Sequence, residues 1–553
     1  MNDPTIPPMT APNPSVARLV IDALRACQID TLYCIPGVQN DDFFDALVDA
    51  PDIRPVVARH EQGAAYMAMG AAQVTGEPAA FCVVPGPGML NASAALTSAY
   101  WAYTRVLAIV GQIATTDQGR HFGTLHDLPD QSAILRQLTK GGVAVHDPRA
   151  AAGDIQWAID ALVSGMPRPV SIEVPADVWG RAAPGSIGAP TSSRPVVDPA
   201  AIERAAGLLA GAERPLIVVG SGAYEAGAEV AALAERLGAP VTTRRMGHGV
   251  VPTSHPLFVP ISAAHELWAT ADVVVGIGTR LEWPLGTWGV DDDLALIQIN
   301  LDADELDRHG VTRVALHADA ADASQALSDA LGAGTPLDRS RELDDVRSRF
   351  DERTAHLTPQ RSYTAAIREA LPDDAVIVED VTQIGFAAHL FYDHLAPRTF
   401  LSSGAAGMLG AGAAVAIGAS DATGRPVVGI VGDGGFLFTA TELATAAQHD
   451  IPCNILLFND GAFGNVRRIQ RTRFGDDRTI ASKLENPDFA KLADSFGVGY
   501  ERAESPEALV PALRRSIEQD GPNLIEVPVD EMPDPWPHLR LPPVRGIEAD
   551  HDG

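Results

Sequence analysis

The sequence predicts an α/β protein built from three consecutive doubly wound parallel-sheet domains. Short β-branched runs alternate with alanine-rich helical stretches, the pattern of parallel sheets faced by helices. At 553 residues the chain is too long for a single core. Its runs fall into three blocks, parted by one Pro/Gly/Ser-rich stretch and one charged stretch.

Residues 1–14, MNDPTIPPMTAPNP, are polar and proline-rich and read as a disordered arm. They have neither the basic end nor the apolar core of a signal peptide, so a cytoplasmic location is expected. Residues 15–183 form the first block, with strand-like runs TLYCIPG, FCVVPGPG, VLAIVGQ and PVSIEVP. The linker GRAAPGSIGAPTSSRPVVDPAA follows. Residues 198–334 carry RPLIVVGSGA, APVTTR, ADVVVGIGTR and LALIQINLD, strands that end in glycine or a carboxylate as in nucleotide-binding α/β domains. The charged stretch DRSRELDDVRSRFDERTAH marks the next boundary. Residues 358–530 hold AVIVED, RPVVGIVGDGG, CNILLFNDG and NLIEVPVD, and residues 531–553 read as an exposed closing strap. The first and third blocks share length and texture, which makes related folds an expectation.

Composition is globular, with 46% hydrophobic and 20% charged residues and no apolar run long enough to span a bilayer. A formal net charge of -30 argues against nucleic acid or an anionic membrane as partner. Cys27, Cys34, Cys82 and Cys453 lack metal-ligand spacing and read as reduced core cysteines.

The stretch IVGDGGFLFTATELATAAQHDIPCNILLFNDGAF places Asp433 at the end of one apolar run and Asp460 at the end of the next. The segment between them reads as a helix beginning after Phe436. Ligands of open parallel sheets bind beyond the carboxyl ends of the strands, where two carboxylates suit a hard cation such as Mg²⁺ that keeps a phosphate in its shell. Gly432, Gly434 and Gly435 allow close backbone approach to that phosphate. Alone, a Gly-Asp-Gly is ordinary turn chemistry. The second strand and its Asn-Asp-Gly favour the metal reading.

This spacing resembles that of the thiamine diphosphate-dependent enzymes, and nearly the whole chain resembles their acetolactate synthase-like branch. The resemblance implies Asp433, Asp460 and the carbonyl of Ala462 as metal ligands, with Gly434, Gly435, Phe463 and Gly464 beside the cofactor. Most relatives have Asn where this chain has Asp460. RHEQGAAYMAMGAA is similar to the segment carrying the catalytic Glu, here Glu61, whose carboxyl would activate the cofactor through its pyrimidine nitrogen. PGPGMLNA follows at the matching distance and implies Pro85 and Asn91 as cofactor contacts. SSGAAGMLGAGAAVAIGA is similar to the segment bracketing the thiazolium ring, with Gly407 and Met408 beside an apolar pivot, Leu409. VEDVTQIGF resembles the diphosphate-side segment, with Gln383 as a contact. The blocks become pyrimidine-binding, central, and diphosphate- and metal-binding domains. The family's site forms between two chains, so a homo-oligomer, dimer or tetramer, is implied.

In this branch the central domain holds FAD, and other branches hold ADP or nothing. If FAD binds, Gly220, Gly222 and Arg280 would touch it, although the full three-glycine fingerprint is missing. The substrate loop IPGVQNDDFFDAL departs from acetolactate synthase, which has small apolar residues at the places of Gln39 and Asn40. FGTLHDLPDQ stands where acetolactate synthases have a Phe-Gln-Glu-like segment. Val38, Gln39, Asn40, His121, His126 and Asp127 are therefore candidate substrate residues against a background of solvated loop. Arg467, with Arg468, Arg471 and Arg473, is either an exposed compensating face or a receptor for an anionic substrate tail. The expected activity is decarboxylation or carboligation of a 2-oxo acid or related carbonyl compound, more polar than the acetolactate synthase substrate. The alternative is a C–C lyase or hydrolase on the same cofactor, acting on a diketone or acyl-CoA without carbon dioxide release. A catalytically silent homologue is disfavoured because Glu61 and the GDG motif are both present.

Overall fold

The computed structural model describes residues 13–546, so residues 1–12 of the expected arm and residues 547–553 lie outside it. Two compact units divide the chain, the first drawn mainly from residues before 193 and the second from those after.

The first unit is built on one parallel sheet. Its strands are β1 (Thr31–Cys34), β2 (Arg54–Val57), β3 (Ala79–Val83), β4 (Val106–Gln112), β5 (Gly141–Ala144) and β6 (Val170–Pro175). They are ordered β2-β1-β3-β4-β6-β5. Central β4 is buried along its whole length, as expected for a strand covered on both faces. Two of the flanking helices, Val16–Ala26 and Gln131–Leu138, are amphipathic and capped by a side chain. Ser15 caps the helix Val16–Ala26 by accepting the Arg18 amide at 3.2 Å, and Leu19, Val20 and Leu24 of that helix lie in the core.

The second unit carries two parallel sheets. One contains β7 (Pro215–Val219), β8 (Val241–Thr243), β9 (Val273–Ile277), β10 (Ala295–Asn300) and β11 (Thr312–His317), ordered β11-β10-β9-β7-β8. The other contains β12 (Val376–Glu379), β13 (Phe400–Ser402), β14 (Val427–Gly432), β15 (Asn454–Asn459), β16 (Gly499–Arg502) and β17 (Asn523–Pro528), ordered β13-β12-β14-β15-β17-β16. Counted from its own first strand, this last order repeats that of the first sheet, which makes concrete the kinship expected from texture. In both sheets the winding reverses between the first and third strands, and ligands of such sheets sit at that reversal. The loops there follow β1 and β3 in one sheet and β12 and β14 in the other.

Two expectations need correction, and the boundary stretch has structure of its own. Residues 436–450 do not form one helix. A turn over Asp433–Phe436 starts at the aspartate itself, and a break precedes a 3-10 turn Ala440–Glu442 and a helix Leu443–Gln448. The break is fixed by Thr439, whose hydroxyl donates to Gly410 O at 2.7 Å. The charged boundary stretch is itself helical over Ser340–Thr354, because Leu343, Val346 and Phe350 supply a buried stripe among its charges. The closing strap is partly buried up to residue 546. Arg545 is 7% exposed, donates to Trp268 O at 2.7 Å and pairs with Asp291 at 2.6 Å.

All four cysteines are free and buried, and burial pushes the thiols of Cys27, Cys34 and Cys453 up to about 12. Among the described residues no helix is long and apolar enough to cross a membrane.

Candidate active site

In the first unit, Glu61 opens the helix Glu61–Thr75, four residues beyond β2. Asn91, on the helix Pro87–Trp101, donates its Nδ2–H to Glu61 Oε2 at 2.9 Å. That bond fixes one carboxylate oxygen and leaves Oε1 open. Gly88 stands against the same group: a Cβ there would lie 3.6 Å from Glu61 Oε1 and 2.7 Å from Val84 Cγ2. Pro85 and Gly86 form the turn after β3, where Gly86 has φ +59° and donates its amide to Gln131 Oε1 at 2.8 Å. Gln131 in turn donates to the buried carboxylate of Glu173 at 3.1 Å, as does Ser132 at 2.7 Å.

The substrate-loop candidates separate. Val38 is 64% exposed, whereas Gln39 is buried and Asn40 fully so. Asn40 donates to Val83 O at 2.9 Å, and its Oδ1 is buried without a partner. Gln39 donates to Leu125 O at 3.2 Å and lies 3.1 Å from His126 Nδ1 through its Oε1, so the ring nitrogen carries the donated proton. His126 has φ +69°, and its carbonyl would be 2.5 Å from a Cβ on Gly86. The pair Gln39–His126 is thus joined and packed onto the β3 turn. His121 is exposed, and Asp127 accepts the Gly123 amide at 3.1 Å.

In the second unit, Asp433 is 2% exposed at the end of β14. Asn486 donates its Nδ2–H to Asp433 Oδ2 at 2.6 Å and to Asn459 Oδ1 at 2.9 Å. Asp460 follows β15 and accepts the Ala462 amide at 3.1 Å. Burial, and then the negative charge of Asp433, push the Asp460 carboxyl up to about 6. Two carboxyls so placed, set among amide oxygens and a turn carbonyl, are oxygen-donor chemistry that suits a hard divalent cation. Among the described residues no three His, Cys, Asp or Glu side chains gather as a metal site. Glycine is required on both sides: a Cβ at Gly434 would meet the Phe463 ring at 2.7 Å, and one at Gly464 would meet Asp460 Oδ2 at 2.3 Å.

Gln383 opens the helix Gln383–Phe391, and its Oε1 is buried without a partner in the protein. Such an orphan acceptor fits a bound group. Gly407, Met408 and Leu409 lie in the turn after β13, with Gly407 at φ +58°. Arg467 stands 3.9 Å from Asp460 and 3.8 Å from Glu531. Arg468 pairs with Asp534, and Arg471 with Glu531. The acidic segment after β17 thus faces this arginine row.

Sequence reasoning missed Asn486. It also missed Glu526, which accepts from Asn459 at 2.8 Å and Tyr500 at 2.6 Å. Neither follows a strand-end glycine turn, the signal that exposed Asp433 and Asp460.

The residues expected to meet FAD do not fit a dinucleotide. The Gly220 amide donates to Ile277 O and the Gly222 amide to Gly278 O, each at 3.0 Å, so neither donor is left for a phosphate. A Cβ on Gly220 would come within 2.4 Å of Gly278 O. These glycines let two loops interlock, and Arg280 pairs with Glu282 at 2.7 Å.

Comparison with known proteins agrees with this geometry. Residues 14–134, 202–327 and 380–527 match the N-terminal thiamine pyrophosphate-binding, central, and C-terminal thiamine pyrophosphate-binding domains of thiamine pyrophosphate enzymes. A probable 2-ketoarginine decarboxylase, AruI, of Pseudomonas aeruginosa is 34% identical over 93% of this chain and 94% of its own length. A probable acetolactate synthase large subunit of Methanocaldococcus jannaschii is 31% identical over 93% of this chain and 92% of its own. The oxalyl-CoA decarboxylase of Escherichia coli is 28% identical over 97% of this chain and 96% of its own. With Asp433 and Asp460 beyond two neighbouring strands of one sheet and Glu61 opening a helix beyond a strand of another, the chain belongs to the thiamine diphosphate-dependent enzymes, on their acetolactate synthase-like branch, as an enzyme that forms or breaks carbon–carbon bonds.

Proposed function

We propose that this protein is a Mg²⁺-dependent 2-oxo acid decarboxylase or carboligase whose substrate carries a polar tail. The observation that carries the polar tail is the Gln39–His126 pair, joined at 3.1 Å, with Gln39 standing where acetolactate synthases have a small apolar side chain. A hydrogen-bonding wall rewards a substrate with matching groups and penalises one without them. That a relative is named a 2-ketoarginine decarboxylase supports this direction.

Thiamine diphosphate, when bound, supplies the electron sink for the bond next to the carbonyl. Glu61, oriented by Asn91, keeps Oε1 free to hold or pass the proton at the pyrimidine nitrogen. Asp433, Asp460 and the Ala462 carbonyl hold Mg²⁺, and Asn486 orients Asp433. Gln383 offers its unpartnered oxygen to the cofactor. Pro85, Gly407, Met408, Leu409, Phe463 and Gly464 shape the walls. FAD is not part of this reading, because the amides of Gly220 and Gly222 are already engaged. The functional unit is at least a homodimer, with the Glu61 half and the Asp433 half of one site drawn from different copies.

The deciding experiment supplies 2-oxo acids with apolar, anionic and guanidinium tails to purified protein with thiamine diphosphate and Mg²⁺. Carbon dioxide and new carbon–carbon bonds are followed by NMR. Release of carbon dioxide, fastest for a polar tail, is the expected result. Silence across the panel with cofactor bound would transfer the assignment to the lyase or hydrolase chemistry.

A further inference from the structure

The turn that carries Gly407, Met408 and Leu409 runs between two buried posts. Gly404 and Gly410 are both buried, whereas Ala405 and Gly407 between them are exposed. Three glycines in the turn, Gly404, Gly407 and Gly410, have φ of +66°, +58° and +81°. Beyond the single 3-10 turn Gly404–Ala406, such a segment has no strand or helix register to hold its shape, so its geometry depends on what grips its ends.

Both ends are gripped from one place, the carboxyl end of β12. At the far end, Asp380 accepts the Val381 amide on Oδ1 at 2.7 Å and the Gly410 and Gly412 amides on Oδ2 at 3.1 and 3.4 Å. The Gly410 carbonyl is held separately by the Thr439 hydroxyl at 2.7 Å. At the near end, Glu379 accepts the Ser402 hydroxyl at 2.5 Å, and Ser402 Oγ accepts the Gly404 amide at 3.1 Å. Arg245 donates to the Gly404 carbonyl. Each post is therefore fixed at its N–H and at its C=O.

Glu379 is itself held by a buried chain of rings. His389 Nε2 lies 2.9 Å from Glu379 Oε2, His248 Nε2 lies 3.0 Å from His389 Nδ1, and Thr243 Oγ1 lies 3.0 Å from His248 Nδ1. With His389 neutral, every donor points toward Glu379, from Thr243 through both rings. With His389 charged, it donates both ways and His248 turns its own N–H to Thr243. Every ring nitrogen keeps a partner in either state, so the chain is satisfied and rigid.

We propose that Glu379 and Asp380 are paired positioning residues that set the shape of the Gly404–Gly410 turn from its two ends, with Thr243, His248 and His389 bracing Glu379. This rests on the reading that the turn borders the bound cofactor.

Two measurements test it, each on Glu379→Gln, Asp380→Asn and His389→Gln. The first is amide hydrogen exchange across residues 403–412 in the protein without cofactor. The second is the thiamine diphosphate dissociation constant at saturating Mg²⁺, read by tryptophan fluorescence. The control is His394→Phe, a buried ring stacked 4.0 Å from His248 but outside the chain. Glu379→Gln and Asp380→Asn are expected to speed exchange in the turn and to weaken cofactor binding by about tenfold or more. His389→Gln does so to a smaller degree, and His394→Phe leaves both at wild-type values even where it lowers the melting temperature. Wild-type exchange and affinity in folded variants would overturn the proposal, and so would an equal effect from His394→Phe. Should Asp380→Asn fail to fold, His389→Gln decides alone. If wild-type protein binds no thiamine diphosphate, the functional reading fails while hydrogen exchange still decides the positioning claim.

Discussion

Glu61 and Asn91 are 30 positions apart in the chain and 2.9 Å apart in the fold. The carboxylate thus keeps one oriented oxygen for proton work, and a neutral amide in its place keeps the shape but loses the proton. Glu61→Gln is expected to lower turnover by about 10²- to 10⁴-fold while thiamine diphosphate affinity stays at the wild-type value. Asp433→Ala should do the reverse at the outset, abolishing Mg²⁺-dependent cofactor binding in calorimetry. Retained turnover in the first variant, or retained binding in the second, would refute the assigned role. Both residues were legible because each sits in a short local pattern. Asn486 was not: it reaches Asp433 across 53 positions, and its partner is set by how the chain packs back on the sheet. Asp380, within VEDVTQIGF, gives no local signal either, since two of its three amide partners, Gly410 and Gly412, lie beyond β13.

At the scale of elements, the strands that sequence reasoning passed over were β5, β11, β13 and β16, and each lies at an edge of its sheet. Edge strands are covered less, so they lack the continuous apolar run that marked β4, β7 and β9. β16 is half-exposed, β11 alternates, and β13 is buried but three residues long. The helix expected beyond Phe436 was misread for a different reason, because helical propensity said nothing of the Thr439 bond to Gly410.

The ring stack joining two elements of the second unit has a pH signature. Burial pushes His394 down to about 3 and holds His248 well below its ordinary value. A folded pKa below the unfolded one gives stability that is full above about 6.5. That stability is lost as pH falls toward about 3, at about 1.4 kcal/mol per pH unit and per group. The melting temperature should therefore fall steadily from pH 7 to pH 4. His394→Phe should flatten that slope, and an unchanged slope would refute the assignment.

For the whole molecule, Glu61 belongs to the first unit and Asp433 to the second, and the proposed function needs both. If different copies supply the two halves, activity must follow assembly. Specific activity is then expected to fall on dilution in parallel with the dimer fraction measured by analytical ultracentrifugation. Activity that is unchanged in a demonstrated monomer would exclude a shared site. The net charge of -30 makes such assembly sensitive to ionic strength, since two copies repel until salt screens them.

The repeated strand order also has a consequence in time. The first sheet has all its strands by residue 175, and β12 begins only at residue 376. During synthesis at about 5–20 residues per second, roughly 10–40 s separate the two events. The Glu61 half is therefore assembled well before the newborn chain has any means of gripping a diphosphate. Thiamine diphosphate cannot template that first unit, which has to reach its shape on the strength of its own core. Vitamin supply would then have no bearing on how much of the first unit folds.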